Sequence, residues 1–439
     1  MGTQYVKTAV AVCLLMSAMI AGTVSFGFFM DPVTTDLGFD RSAFSLYFSL
    51  ITVVGTCTLP FYGKIISKIG ARKMIIVGGI WTGITISALS LCTSLPMFYV
   101  VGALVGLGFF GCSYVAAPVI VANWFKEKNG FIMGLAAAIG GVVAMLLSLV
   151  FPTVITSIGW QAGYVVLGAA IFVLTTPVGL FLVRSTPAEV GLRPYGDTGE
   201  ADASAAAAEA AADGVPYAVA LKSPQLWVMV LAFILFTGTI TITQHLAAYF
   251  VSIGYSAVVA GVFMSVISGG IIVTNGLAGV IADKLGLMRT VFICSLLALI
   301  SFLLLPANSL VGGGTMAIVV ICAALILMSI GNTYASLFGP MVTRVAFGSR
   351  DYSALWGIVS MACVLGQAIG APLWGLSYDL TGSYEPGMIV AAIAVAVGFF
   401  LLAWAVRSSQ AKLAAGAGAG AAGAEPKAGA AARAAHAAE

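Results

Sequence analysis

The sequence predicts an all-α polytopic membrane protein whose twelve transmembrane helices form two pseudo-symmetric six-helix bundles. Hydrophobic residues make up 61% of the 439 residues and charged residues 8%, whereas soluble domains carry roughly 25% charged residues. The apolar residues fall into about twelve runs of roughly 20 to 26 residues, the length that a helix needs to cross a hydrocarbon layer about 30 Å thick. A soluble globular fold is therefore excluded.

The positive charges give a topology for these runs. The predicted spans are 8–30, 43–63, 74–95, 97–122, 131–152, 163–183, 226–252, 257–281, 288–306, 314–339, 353–377 and 388–406. Of the 19 Lys and Arg residues, all except Arg41 fall on one side of the membrane in this arrangement. The positive-inside rule places that side, with both termini, in the cytoplasm, so we expect a multi-pass protein of the inner or plasma membrane.

Composition divides the chain into four parts. We predict an N-terminal bundle at 1–184, a cytoplasmic linker at 185–222 and a C-terminal bundle at 223–407. The segment 408–439 is rich in Ala and Gly and cannot bury enough apolar surface to offset the entropy of ordering, so it is predicted to be disordered.

The two predicted bundles repeat each other. The segment 63-GKIISKIGARK-73 follows the second span, and 279-GVIADKLGLMR-289 follows the eighth. The fourth span contains 111-GCSYVAAP-118, and the tenth contains 331-GNTYASLFGP-340. An even number of spans in each unit makes the repeats parallel. That arrangement is found in transporters with a substrate site between the halves near the membrane midplane.

The second of these loops has the pattern Gly-x-x-x-Asp-x-x-Gly-x-x-Arg, which resembles the signature loop of the major facilitator superfamily. The segments 123-NWFKEKNGFIMG-134, 245-HLAAYFVSIGYS-256 and 375-GLSYDLTGSYEP-386 resemble its oxalate/formate antiporter and monocarboxylate transporter branch. The resemblance implies that the two loops latch the cytoplasmic face when the other face is open. The latch residues would be Gly63, Gly70, Arg72, Lys73, Gly279, Asp283, Gly286 and Arg289. Because Ser67 replaces the acid of the first loop, we expect the second loop to be the stronger latch.

Polar residues inside the spans are the candidates for binding substrate. His245 is the one histidine within a predicted span, and it could donate a hydrogen bond to a carboxylate or change its charge near neutral pH. The full candidate set is His245, Gln244, Tyr249, Gln367, Tyr114, Tyr334, Asn332 and Asn275. For each residue the alternative is a hydrogen bond between neighbouring helices, which contributes about 0.6 kcal/mol on average.

The charge pattern also limits the net charge that the substrate is expected to carry. No Lys, Arg, Asp or Glu is predicted deep in any span. Oxalate-type carriers of the resembled branch are expected to place basic residues in spans eight and eleven, where this chain has Asn275, Ser268 and Gln367. A dianion would then lack a fixed counter-charge, so a monoanion bound by hydrogen bonds is favoured. No nucleotide-binding loop, paired catalytic carboxylates or metal-ligand set is found, so we expect no cofactor, no metal and no enzyme activity.

These observations predict a secondary active transporter of a small, monocarboxylate-like organic anion. It would work by alternating access, coupled to protons or to exchange of a counter-anion. Two alternatives stay open: a carrier of an amphipathic or apolar organic acid or sterol-like substrate, and a non-transporting membrane sensor with the carrier fold. The expected partners are the anion, protons or a counter-anion, and membrane lipid, with no nucleic acid; we expect a monomer.

Overall fold

A computed structural model of the chain describes residues 2–125, 129–196, 214–307, 314–348 and 350–436, with backbone alone from 412 onward. In these ranges eleven helical stretches are long and apolar enough to cross a membrane. The longest, Phe131–Leu182, has 52 residues, about 78 Å of helix at 1.5 Å per residue, and Gly159 within it has non-helical angles of φ 86° and ψ 162°. Division at Gly159 gives two spans, which is consistent with twelve crossings.

The helices of the first half follow the predicted spans closely. They are α1 Thr3–Ser25, α2 Met30–Leu37, α3 Arg41–Ile69, α4 Ala71–Ala88, α5 Leu95–Phe109, α6 Ala116–Trp124 and α7 Asn129–Pro177. Both spans that the sequence predicts at 131–152 and 163–183 lie on the continuous stretch that α7 begins.

The second half has the same order of helices after the linker. They are α8 Tyr217–Leu221, α9 Pro224–Ile240, α10 Leu246–Ser252, α11 Ala257–Leu285, α12 Leu287–Leu304, α13 Gly314–Ser329, α14 Gly339–Phe347, α15 Tyr352–Thr381 and α16 Glu385–His436. Within the linker, 197–213 lies outside the described residues. The amide of Val215 donates to the carbonyl of Phe347 at 2.8 Å, so the end of the linker is attached to the second half.

The predicted internal repeat is visible in the backbone. Gly70, between α3 and α4, has φ 84° and ψ 151°, and Gly286, between α11 and α12, has φ 87° and ψ 149°. A positive φ of this kind is readily adopted by glycine and disfavoured for residues with a Cβ. Two loops at an offset of 216 residues therefore make the same turn with the same residue type.

Departures from α-helical geometry also repeat. The spans formed by α5–α6 and α13–α14 each contain a π-helical turn, at Phe110–Val115 and Tyr334–Phe338. The first span of each half contains a 3₁₀ turn, at Phe26–Phe29 and Thr241–Gln244. Such turns interrupt the regular hydrogen-bond ladder and are frequent at functional sites. They occur in corresponding spans of the two halves, as an internal repeat predicts.

The C-terminal segment continues the last helix in the structure, and its predicted disorder stays a prediction. The backbone of α16 remains helical past residue 408 and ends at His436. Alanine has the highest intrinsic helix propensity of the amino acids, which is consistent with helical backbone in this Ala-rich segment.

The two halves meet closely at one face of the membrane domain, which we name the Arg41 face. It contains the start of α3 and the end of α15, opposite the face where α1 begins. A Cβ added to Gly375 of α15 would lie 2.5 Å from the Cα of Ser42 in α3. Gly261 of α11 likewise lies against Ser148 and Pro152 of α7. Small residues thus let the halves approach closely at this face.

Candidate functional site

Arg41 lies at the junction of the two halves and is held by residues from both. It is the first residue of α3 and is 8% exposed. Its Nη2 forms an ion pair with Oδ1 of Asp31 at 2.6 Å, and its Nη1 donates to the Tyr384 hydroxyl at 2.9 Å. The guanidinium carbon lies 3.8 Å from the ring centroid of Tyr378, within the range of a cation–π contact.

The start of α3 is capped by a side chain of the other half. The amides of Arg41 and Ser42 donate to the two carboxylate oxygens of Asp379, at 3.0 and 2.8 Å. Asp40, which occupies the N-cap position of α3, makes no side-chain capping bond. A carboxylate accepts hydrogen bonds from the free N–H groups of a helix start and complements the helix dipole. Asp379 of α15 therefore caps α3 in place of Asp40.

Tyr384 extends this arrangement to His245. The His245 ring is buried; its Nε2 lies 2.9 Å from the carbonyl oxygen of Ala371, and its Nδ1 lies 3.2 Å from the Tyr384 hydroxyl. A carbonyl can only accept, so Nε2 carries the proton, and in the neutral ring Nδ1 accepts from Tyr384. Tyr384 in turn accepts from Arg41. The result is a continuous chain of hydrogen bonds from Asp31 to Ala371.

The cluster contains one cation, Arg41, and two carboxylates, Asp31 and Asp379. Among the described residues, Arg41 is the one Lys, Arg, Asp or Glu that is buried, and Asp31 pairs with it. Burial raises the pKa of the Tyr384 hydroxyl above its ordinary value, so this group stays neutral. The junction therefore holds an ion pair, a carboxylate bound to the α3 amides and neutral hydrogen-bonding groups.

Two of the predicted binding tyrosines lie in the interior of the second half. Tyr334 is buried, stacks on Phe236 with ring centroids 4.2 Å apart, and donates to Ser295 at 2.9 Å. Tyr249 is buried beside Tyr384, with ring centroids 6.2 Å apart. Tyr249 thus adjoins the Arg41 cluster, whereas Tyr334 packs away from it.

The predicted amide residues are half-buried and only partly bonded. Asn275 accepts from Ser336 at 3.2 Å, and the backbone carbonyl of Asn332 accepts from the same hydroxyl. Within the described part of the chain, the Gln367 side chain makes no hydrogen bond, and the buried Oε1 of Gln244 has no partner. The side chain of Tyr114 lies outside what the structure describes. The binding roles of these residues stay predictions.

Arg72 of the predicted latch is bonded within the first half. Its Nε donates to the carbonyl of Gly179 at 3.1 Å, and its Nη2 donates to Leu180 at 2.7 Å. These carbonyls lie in the π-helical turn Val178–Leu182 that ends the sixth span. Arg72 therefore caps the C-terminal end of that span, where a cation is favourable.

The other latch residues give less information. Lys73, Gly286 and Arg289 are exposed. The surroundings of Gly63 and Gly279 and the side chain of Asp283 lie outside the described part of the chain. Because the halves are in contact at the Arg41 face, the opposite face is not expected to be latched in this conformation, and the latch stays a prediction.

Sequence reasoning missed the central role of Arg41, Asp379 and Tyr384. The sequence contains one indication of this role, because Arg41 is the one Lys or Arg that the predicted topology places on the side opposite the cytoplasm. Its partners are 338 and 343 residues away in the chain, so no local pattern could connect them.

Known proteins resemble this chain over nearly its whole length. A model of the Major Facilitator Superfamily matches residues 10–349. The oxalate:formate antiporter of Oxalobacter formigenes is 23% identical over 415 residues, which cover 92% of each chain. Monocarboxylate transporters 12 and 13 of Rattus norvegicus are 24% and 25% identical, covering 90% and 88% of this chain and 84% of each relative.

Solved structures show the same architecture. A mutant of the nucleoside transporter NupG superposes with a TM-score of 0.72 at 12% identity, covering 92% of this chain and 100% of the other. A bacterial homologue of the human lysosomal transporter Spinster, inward-facing and occupied, has a TM-score of 0.68 at 14% identity, covering 93% and 98%. At these identities the likeness concerns the fold alone.

Proposed function

The chain belongs to the major facilitator superfamily, and from that premise we propose that it is a secondary active transporter of a small monocarboxylate-like anion. Transport would proceed by alternating access, with coupling to a proton or to a counter-transported anion. We place it in the inner or plasma membrane with both termini in the cytoplasm. Its full-length relatives include an oxalate:formate antiporter and monocarboxylate transporters, which supports this substrate class.

The observation that carries the proposal is the position of Arg41 between the halves. A buried cation, held by groups from both halves, lies where one face of an alternating-access carrier must open and close. Hydrogen-bonding groups of His245 and Tyr384 adjoin it. Because Arg41 is already paired with Asp31, a carboxylate substrate would be bound by neutral hydrogen-bond donors, as the sequence predicts.

Charge balance favours a monoanion over a dianion. The positions where the resemblance leads us to expect basic residues carry neutral side chains, and two of them are satisfied locally. Ser268 donates to the carbonyl of Met264 at 2.9 Å, and Asn275 accepts from Ser336. An ionised group in the membrane interior needs a partner, and a second negative charge on the substrate would have none among these residues.

Purified protein in liposomes tests the proposal directly. We expect saturable uptake of labelled formate and larger monocarboxylates, and at least tenfold less uptake of oxalate. An imposed pH gradient and an internal anion load, applied separately, distinguish proton coupling from exchange. Arg41→Gln should lower uptake strongly, whereas Lys222→Gln, a change to an exposed cation of the linker, should leave it near the wild-type rate.

Three outcomes would contradict the proposal. Oxalate uptake equal to that of formate would reject the charge argument. Uptake of apolar acids or sterols without monocarboxylate uptake would favour the alternative substrate class. Monocarboxylate binding without flux in either direction would identify a sensor instead of a carrier.

A further inference from the structure

We propose that Asp379 is a positioning residue that locks the Arg41 face by capping α3 from the opposite half. The inference rests on the proposed alternating access, because it assigns the lock to one of two conformational states. It concerns the equilibrium between those states and does not depend on which substrate is carried.

The geometry of the cap carries the inference. Asp379 lies near the end of α15 and places one oxygen on each of two consecutive amides of α3. The amides of Arg41 and Ser42 belong to the first turn of a 29-residue helix, where N–H groups lack partners within the helix. A bond to a carboxylate is about twice as strong as a bond between neutral groups.

The cap can form only while the halves are in contact. Gly375, one turn before Asp379, allows the backbones of α15 and α3 to approach, with its added Cβ 2.6 Å from the carbonyl carbon of Arg41. Ser49 donates to the carbonyl of Ala368 at 2.5 Å along the same pair of helices. Separation of α3 from α15 at this face would break all of these contacts together.

The neighbouring charges explain why Asp379 acts on the backbone. The guanidinium of Arg41 is occupied by Asp31 of its own half and by Tyr384, and no hydrogen bond joins it to Asp379 in the described structure. The carboxylate of Asp379 is instead directed at the helix start. Opening of the face would leave the Arg41–Asp31 pair intact in the first half and release the α3 amides to water.

A second carboxylate on the same face provides a matched control. Oδ2 of Asp36 accepts from Nε1 of Trp160 at 2.8 Å. Both residues belong to the first half, so this bond persists whether the face is open or closed. Asp36→Asn and Asp379→Asn are the same chemical change, and only the second removes a charged bond between halves.

The experiment measures the distance between halves in the full chain. Spin labels replace Leu91 and Met316, which are 73% and 62% exposed at ends of helices on the Arg41 face, one in each half. The seven native cysteines are replaced first, and the protein is placed in lipid nanodiscs without substrate. The measured quantity is the ratio of the long-distance to the short-distance population.

We expect Asp379→Asn and Asp379→Ala to raise that ratio roughly 2- to 30-fold, the range that corresponds to loss of a helix N-cap. The lower part of the range is favoured because Asp379 is exposed to solvent. Asp36→Asn should leave the ratio within a factor of about 1.5 of the parent. An unchanged ratio in both Asp379 variants, or an equal rise in Asp36→Asn, would overturn the lock.

Transport measurements keep this inference separate from the proposed function. If the distance shift occurs and no monocarboxylate is carried, the substrate proposal fails and the lock stands. If monocarboxylates are carried and the distances do not respond to Asp379, the lock fails and the substrate proposal stands.

Discussion

Tyr384→Phe is the most informative single change at the Arg41 face. It removes the hydroxyl that accepts from Nη1 of Arg41 at 2.9 Å and adjoins Nδ1 of His245 at 3.2 Å. The aromatic ring is retained, together with its contacts to Tyr378 and Tyr249. The change therefore tests two hydrogen bonds without creating a large cavity.

The two bonds contribute to different quantities. The bond to Arg41 joins the two halves and involves a charged donor, a class that contributes about 1.5–3 kcal/mol. Its loss should shift the equilibrium away from the closed Arg41 face roughly 10- to 150-fold, at about 1.4 kcal/mol per tenfold. The bond to His245 lies within the second half, and its loss lowers the free energy of unfolding by about 1 kcal/mol in both states.

Two measurements separate these effects. The distance between labels at positions 91 and 316 reports the conformational equilibrium, and thermal unfolding in detergent reports stability. Tyr378→Phe is the control, because it retains the ring under Arg41 and removes a hydroxyl for which the described structure shows no hydrogen bond. If Tyr384→Phe lowers the unfolding temperature and leaves the distance distribution unchanged, the Arg41–Tyr384 bond does not stabilise the closed face.

Two further predictions concern other contacts. Gly375→Ala should prevent closure of the Arg41 face and abolish transport in the liposome assay, because the new methyl group meets the backbone of α3. Gly357→Ala in the same helix is the control. Its methyl group meets nothing within 4 Å, so this variant should transport normally. Arg72→Ala should speed hydrogen exchange of the amides at 179–183 by about 2- to 10-fold, through loss of two capping bonds. We expect these bonds to contribute about 0.5–1.5 kcal/mol together, below the usual range for a charged donor, because Arg72 is only half-buried and solvent screens its charge. Lys73→Ala should leave exchange there unchanged, and equal rates in both variants would contradict the capping role.

Local features of the site were within reach of sequence reasoning. His245 was singled out as a polar residue within a span, and the structure buries it, where it needs hydrogen-bond partners; its binding role stays a prediction. Its partners were not predictable, because Tyr384 and Ala371 lie 139 and 126 residues further along the chain. The same reasoning attributed Arg72 to an electrostatic latch, and the structure gives it two carbonyl partners about 107 residues away.

The sequence by itself determined that this chain crosses the membrane many times and repeats a six-helix unit. Those properties follow from segment length, hydropathy and glycine position, which act over one or two helices. The Arg41 face was decided by tertiary structure alone. There Asp379, Tyr384 and Gly375 meet the start of α3. Its contacts join residues more than 330 positions apart, and their strength depends on how closely two helices approach and how far water is excluded between them.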